Sequence, residues 1–161
     1  MRSPILKPVD FNKNEPVWVI TDGSQMGIGA MYSQGKNWDK CQPAGFLSKK
    51  FTSTQHNYCM HKHKTLVVLE ALMKWEDKLL GRKFTGHKGL EYFKTQPNLS
   101  LRQTRWWEYL SHFNYNTIHI DGTWNQVADS LSHYYEYDTL RMNTPIVNLS
   151  KQMKYLIQME T

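Results

Sequence analysis

The sequence predicts a mixed α/β domain, one sheet combining antiparallel and parallel strands and covered by helices. Three observations carry this. Three short apolar runs follow one another at hairpin distance between residues 17 and 49. A long stretch of helical period comes next, over about residues 54–80. Strand and helix patterns then alternate to about residue 133, giving the order βββ-α-β-α-α-β-α. Strands first and interleaved helices afterwards fit a helix-covered sheet rather than a bundle or a sandwich. A chain of 161 residues with 40% hydrophobic content suits one domain with a real core.

The elements follow in order. Residues 1–16 hold three prolines and no period, so they read as a lead-in arm. Residues 17–21 are β-branched and apolar and run into the turn Asp22-Gly23-Ser24. Residues 27–32 form a second strand rich in small residues, which points to a close backbone approach on one face. Residues 34–43, with Gly35 and Pro43, read as a loop before a third strand over 44–49. The long helix begins at Thr54 or Asn57 and ends at Leu80, with Gly81 closing it. Its buried stripe is Val68, Ala71 or Leu72, Trp75 and Leu79, while Glu70, Lys74, Asp77 and Lys78 face water. Residues 83–85 give a very short strand. Residues 89–94 and 101–113 read as helices, the second capped by Ser100. Residues 116–120 alternate as a strand, Asp121-Gly122 turns, and 125–133 form a last short helix. The core domain is thus 17–135. Residues 136–161 read as a peripheral tail, either disordered or loosely helical through Leu140, Ile146, Leu149, Met153 and Leu156.

Charge and cysteine content narrow the function. Twenty Lys and Arg against fourteen Asp and Glu leave a formal charge of +6, which permits nucleic-acid contact without establishing it. The longest apolar runs, residues 17–20 and 66–69, are far too short to span a membrane. The N-terminus lacks the apolar core of a secretion signal. Two cysteines, Cys41 and Cys59, form neither a disulfide framework nor a zinc spacing and read as reduced thiols. The expectation is a monomer of the cytoplasm or nucleus that is not secreted. His61, His63 and His87 are poor metal candidates, since His61 and His63 point to different sides of a helix.

Four segments then occur in one order: Thr21-Asp22-Gly23-Ser24, Asn57-Tyr58, His87-Lys88-Gly89-Leu90, and Asn125-Gln126-Val127-Ala128-Asp129-Ser130-Leu131-Ser132. Between them lie Gly45-Phe46-Leu47-Ser48-Lys49-Lys50-Phe51, residues 74–81 and Arg105-Trp106-Trp107-Glu108. Together they resemble the ribonuclease H domain of gypsy-type LTR-retrotransposon polyproteins, especially fungal ones, over about residues 4–135. The resemblance implies the ribonuclease H-like fold, a five-stranded mixed sheet with helices on both faces. It also implies a hybrid ribonuclease attached to an RNA-directed DNA polymerase. No paired-aspartate polymerase motif occurs in this sequence, so polymerase activity is assigned to the parent polyprotein.

The family cleaves the RNA strand of RNA–DNA hybrids with Mg²⁺ or Mn²⁺ held by four acids. Two metal ions stabilise both the attacking and the leaving oxygen. Carried over residue by residue, the first acid is Asp22 and the last is Asp129. The glutamate of the long helix falls on Lys64 and the aspartate ending the fourth strand falls on Gly86. Glu70 is no substitute for the glutamate, because six residues further on lies about 240° round the helix. Two carboxylates beside an ammonium make a poor seat for four added positive charges. Lys64 shares a face with Val68, Ala71 and Trp75, so its amine is expected to reach Asp22 or Asp129, where a metal would stand. His133 takes the place of a common arginine and is assigned no catalytic role. Nucleic-acid contact is expected from Ser24, Lys49, Lys50, Lys88, Arg102 and Arg105. The inherited function is hydrolysis of RNA in a hybrid, degenerate here. The alternatives are a catalytically dead module that binds nucleic acid or a protein partner, and a retroelement fragment without function.

Overall fold

Strand β1 (Val17–Gly23) places Val17, Val19 and Thr21 on one face and Trp18 and Ile20 on the other, as a two-residue period demands. It pairs antiparallel with β2 (Gly27–Gln34), which pairs antiparallel with β3 (Pro43–Lys50). On its other side β1 runs parallel to β4 (Lys83–His87), which runs parallel to β5 (Asn114–Ile118). The sheet order is β3-β2-β1-β4-β5, the mixed five-stranded sheet expected. The computed structural model describes residues 6–87, 98–120 and 125–136. Lys88, the helix expected over 89–94, the Asp121-Gly122 turn and the tail beyond residue 136 lie outside the described residues, as do the side chains of His61 and His87.

The predicted long helix is three pieces: α1 (Ser53–His56), α2 (Met60–Lys74) and α3 (Glu76–Leu79). Thr52 and Gln55 open α1 with a capping box, Asn57 ends it, and Cys59 restarts the chain from an extended conformation. Trp75, at φ −116° and ψ 24°, separates α2 from α3. A pause that leaves the apolar stripe on the same side is invisible to periodicity. Gly81 closes the run at φ +73°, the left-handed conformation assigned to it.

One face of the sheet carries the main core, where Val17, Val19, Ala30, Tyr32 and Phe84 meet Val68, Ala71, Leu72 and Trp75. Trp75 stacks on Tyr32 at 5.2 Å. Helix α4 (Leu101–Ser111) adds Leu110 to this layer and starts at the Ser100 cap, whose hydroxyl and backbone exchange bonds with Gln103. Helix α5 (Gln126–Ser132) lies on the opposite face, where Ala128 joins Ile20, Met31 and Ile120. Strand β5 sits two residues earlier than its alternation suggested, because its ladder with β4 pairs Lys83 with Asn114 and His87 with Ile118. The arm is tied down over its described part. The Lys7 N–H donates to the Pro43 carbonyl, Asp10 and Gln34 exchange two bonds, and Arg82 lies over the Phe11 ring. No helix among the described residues is long and apolar enough to cross a membrane.

Candidate active site

The site forms where α5 crosses the end of β1. Asp22 is paired across the ladder with Gly29 of β2. A Cβ built at Gly29 would lie 2.5 Å from the Ser132 nitrogen and closer still to the Ala128 carbonyl oxygen. The bare glycine therefore lets α5 rest on the backbone of β2, and this contact carries Asp129 to Asp22. Ser24 adds a clip, donating from Oγ to the Ser132 carbonyl while accepting from the amides of Met26 and Gly27. Buried Ser132 donates to the Asp129 carbonyl at 2.8 Å and lies 3.3 Å from Asp22 Oδ2.

His133 completes the group. Ligand atoms of Asp22, Asp129 and His133 all lie within 4.8 Å of one another. His133 Nδ1 is 3.4 Å from Asp129 Oδ1 and 2.9 Å from the Asp129 carbonyl, and Nε2 is 3.7 Å from Glu136 Oε2. Burial pushes the Asp22 carboxyl above its ordinary value, the Asp129 charge adds to this, and bonds from Gly23 and Ser132 oppose it. The His133 imidazole also titrates above its ordinary value: burial works against its charged form, but the Asp129 carbonyl and the charges of Glu136, Asp129 and Asp22 outweigh that. The sequence reading gave His133 no role. The available signal was its spacing, four residues past Asp129 on the same helical face.

The other two positions lie elsewhere. Lys64 is exposed, contrary to the inward face expected of it. The groups acting on Asp22 are the Gly23 backbone, Asp129 and Ser132, without Lys64 among them. The reason is where the helix crosses. Val67, one turn later, is the residue of α2 that touches the end of β1, because a Cβ at Gly23 would meet its Cγ2 at 2.6 Å. Lys64, one turn before that contact, is left to solvent. Gly86 pairs with Val19, not with Asp22. It is three residues short of Asp22, about 10 Å along the strand, and on the opposite face. The position level with Asp22 is residue 89, outside the described residues.

The basic candidates divide. Lys49 is held in an ion pair with Glu70 at 2.6 Å, and the Ser24 hydroxyl is occupied by the turn, whereas Lys50 and Arg105 are exposed. Arg102 donates to the Tyr58 hydroxyl and lies over its ring. A cavity of about 310 Å³ opens at the start of α4, lined by Lys62, Ser100, Leu101, Arg102, Gln103 and Trp106. Lys62 was not among the candidates, and only tertiary folding brings it beside Arg102. His63 is buried, stacked on Phe51 and bonded to the Gln55 carbonyl.

Residues 12–113 match the family described as the RNase H-like domain found in reverse transcriptase. The chain belongs to this family. The Tf2-3 and Tf2-4 transposon polyproteins of Schizosaccharomyces pombe are each 30% identical to it over 137 residues, covering 80% of the chain. The chain spans 10% of the length of these relatives. Among solved structures, the foamy viral protease-reverse transcriptase in complex with dsDNA superposes with a TM-score of 0.60 at 19% identity, covering 73% of this chain and 25% of that one. The same viral protein in complex with an RNA/DNA hybrid superposes with a TM-score of 0.54 at 20% identity, over 68% and 16%. These likenesses establish the RNase H-like fold.

Among the described residues, this RNase H-like domain gathers a mixed set of possible ligands, two carboxylates and one imidazole. A pair of magnesium ions requires several carboxylate oxygens. Among the described residues, the acids brought together here are Asp22 and Asp129, and the third possible ligand within reach is an imidazole nitrogen.

Proposed function

We propose that this RNase H-like domain holds RNA–DNA hybrid without the two-ion hydrolysis of its RNA strand. The observation that carries the proposal is the donor set at the end of β1, which among the described residues is two carboxylates and an imidazole where the family's resemblance calls for four carboxylates. The exposed cations Lys50, Arg102 and Arg105, with Lys62 at the cavity, supply phosphate contacts. The foamy viral complex with a hybrid supports a hybrid as the ligand of this fold.

Two measurements test it. Fluorescence anisotropy with a labelled hybrid in chelator should show binding that weakens steeply from about 50 to 200 mM salt, with a slope reduced by about one for each contacting cation replaced by alanine. Incubation with Mg²⁺ or Mn²⁺ should leave the RNA strand intact. Cleavage abolished by Asp22→Asn would overturn the loss of hydrolysis, and absence of salt-dependent retention would overturn the binding.

A further inference from the structure

We infer that the cavity at the start of α4 receives one unpaired nucleotide, its base against Trp106 and its phosphate between Lys62 and Arg102. This rests on the hybrid binding proposed above, because the strand that enters the cavity is an unpaired end of the bound hybrid.

The cavity joins the two features that hold single strands, a flat aromatic wall and cations beside it. Its volume of about 310 Å³ lies at the lower end of small-molecule pockets, about 300–1,000 Å³, so it admits a single nucleotide-sized group. Trp106 supplies the wall, and its ring centre stands 6.3 Å from that of Tyr58. Lys62 and Arg102 bring two positive charges, and no carboxylate is among the described lining residues. Arg102 is set in place beforehand. It donates to the Tyr58 hydroxyl, and its guanidinium lies 5.3 Å from the centre of that ring. The positive end of α4 adds to the pull on a phosphate.

Leu101 is a second, independent sign of a ligand. It is 84% exposed at the mouth of the cavity, more than any other large apolar side chain among the described residues. An apolar side chain placed there acts as a wedge, packing on the last paired bases and keeping the inserted base from restacking on them. The polar groups of the lining are already engaged with each other. Ser100 donates from both its amide and its Oγ to Gln103 Oε1, and the Gln103 amide donates back to Oγ. The cavity therefore holds a base by its face and reads none by its edge. Its position suits a bound hybrid. Lys62 precedes Val67 by five residues, about 7.5 Å along α2, and Val67 touches Gly23, next to Asp22. One duplex can reach both.

The test measures binding to the full chain, in chelator, by anisotropy of labelled hybrids. One hybrid carries a short thymidine extension, and the other carries an abasic extension of the same length and charge. The wild type should bind the first about tenfold more tightly than the second. A 2-aminopurine placed in the extension should lose fluorescence on binding, as a stacked base does. Leu101→Ser and Trp106→Leu should each bring the affinity ratio close to one. Leu101 is exposed, so its variant keeps the fold even where loss of Trp106, which packs against two core clusters, lowers the melting temperature. Lys62→Ala should weaken both extensions alike and reduce the salt slope by about one. A ratio of one in the wild type, or a ratio unchanged in both Leu101→Ser and Trp106→Leu, would overturn the inference. So would displacement by polyglutamate as effective as by oligothymidylate, which would mark a seat for an acidic protein segment. Retention of a blunt hybrid is read separately, and the same ratio is read on the thymidine and abasic strands alone. Loss of hybrid binding and loss of the nucleotide pocket are therefore distinct results.

Discussion

Replacing Gly29 with alanine should do more damage than one added methyl group suggests. Ordinary van der Waals contact of a Cβ begins at 3.4 Å, and here the new carbon would stand 2.5 Å from the Ser132 nitrogen. The Ala128 carbonyl oxygen is nearer still, and both atoms are backbone of α5. No side-chain rotation can relieve them, so the helix must retreat by about 1 Å or more. Overpacking of this kind destabilises by about 1–3 kcal/mol, and two rigid backbone contacts favour the upper end, about 10 °C in melting temperature for a domain of this size. The retreat also separates Asp129 from Asp22 and stretches the 3.3 Å contact of Ser132 with Asp22. Thermal denaturation followed by circular dichroism measures the first effect, and hydrogen exchange of the α5 amides measures the second. Gly81→Ala is the control. A Cβ there meets nothing within 4 Å, so only the backbone cost of φ +73° applies, about 1–2 kcal/mol, with no change at α5. A Gly29→Ala protein that melts with the wild type, or loses no more than Gly81→Ala, would refute the account of how the site is assembled.

Other outcomes follow from the same structure. Gly86→Asp should unfold the protein or cost several kcal/mol, because the carboxylate would enter the sheet's buried face beside Val19, whereas exposed Lys64→Glu should change stability by less than about 0.5 kcal/mol. Urea titrations of the two single variants check this, and equal stability would show that the strand pairing is wrong. Asp22→Asn should stabilise the fold at neutral pH. A carboxyl raised in the folded state contributes stability below its unfolded value and loses it as pH rises through the folded value, so the benefit of the amide should vanish in acid. Melting curves of both proteins across the acid range would show it, and a benefit independent of pH would sink the assignment. Breaking the exposed Lys49–Glu70 pair with Glu70→Gln should cost at most about 1 kcal/mol and should free Lys49 for phosphate, tightening hybrid binding at low salt. Unchanged anisotropy would remove Lys49 from the interface.

Local rules located most of the framework. The β-branched apolar run at 17–21, the Ser100 cap and Gly81 at the end of the helical run are properties of neighbouring residues, and the structure keeps them. The sheet, its helical cover and the membership of Asp22 and Asp129 in one site followed from ordered motifs. Lys64 went astray because helical phase alone cannot say where α2 leaves the sheet, and the contact of Val67 with the end of β1 settles that. The break at residues 57–59 and the shift of β5 escaped detection because capping and parallel register override a weak period.

What the sequence determined by itself is chemistry carried by residue type: which strands and helices can form, which acids remain, and that the chain carries a positive charge. What only the tertiary structure decided is adjacency. Gly86 against Val19, His133 against Asp129 and Asp22, and Lys62 beside Arg102 are set by strand register and by the depth at which α5 lies on Gly29. Register is a choice among pairings that differ by one residue, made by the whole packed sheet, so no local stretch of chain encodes it.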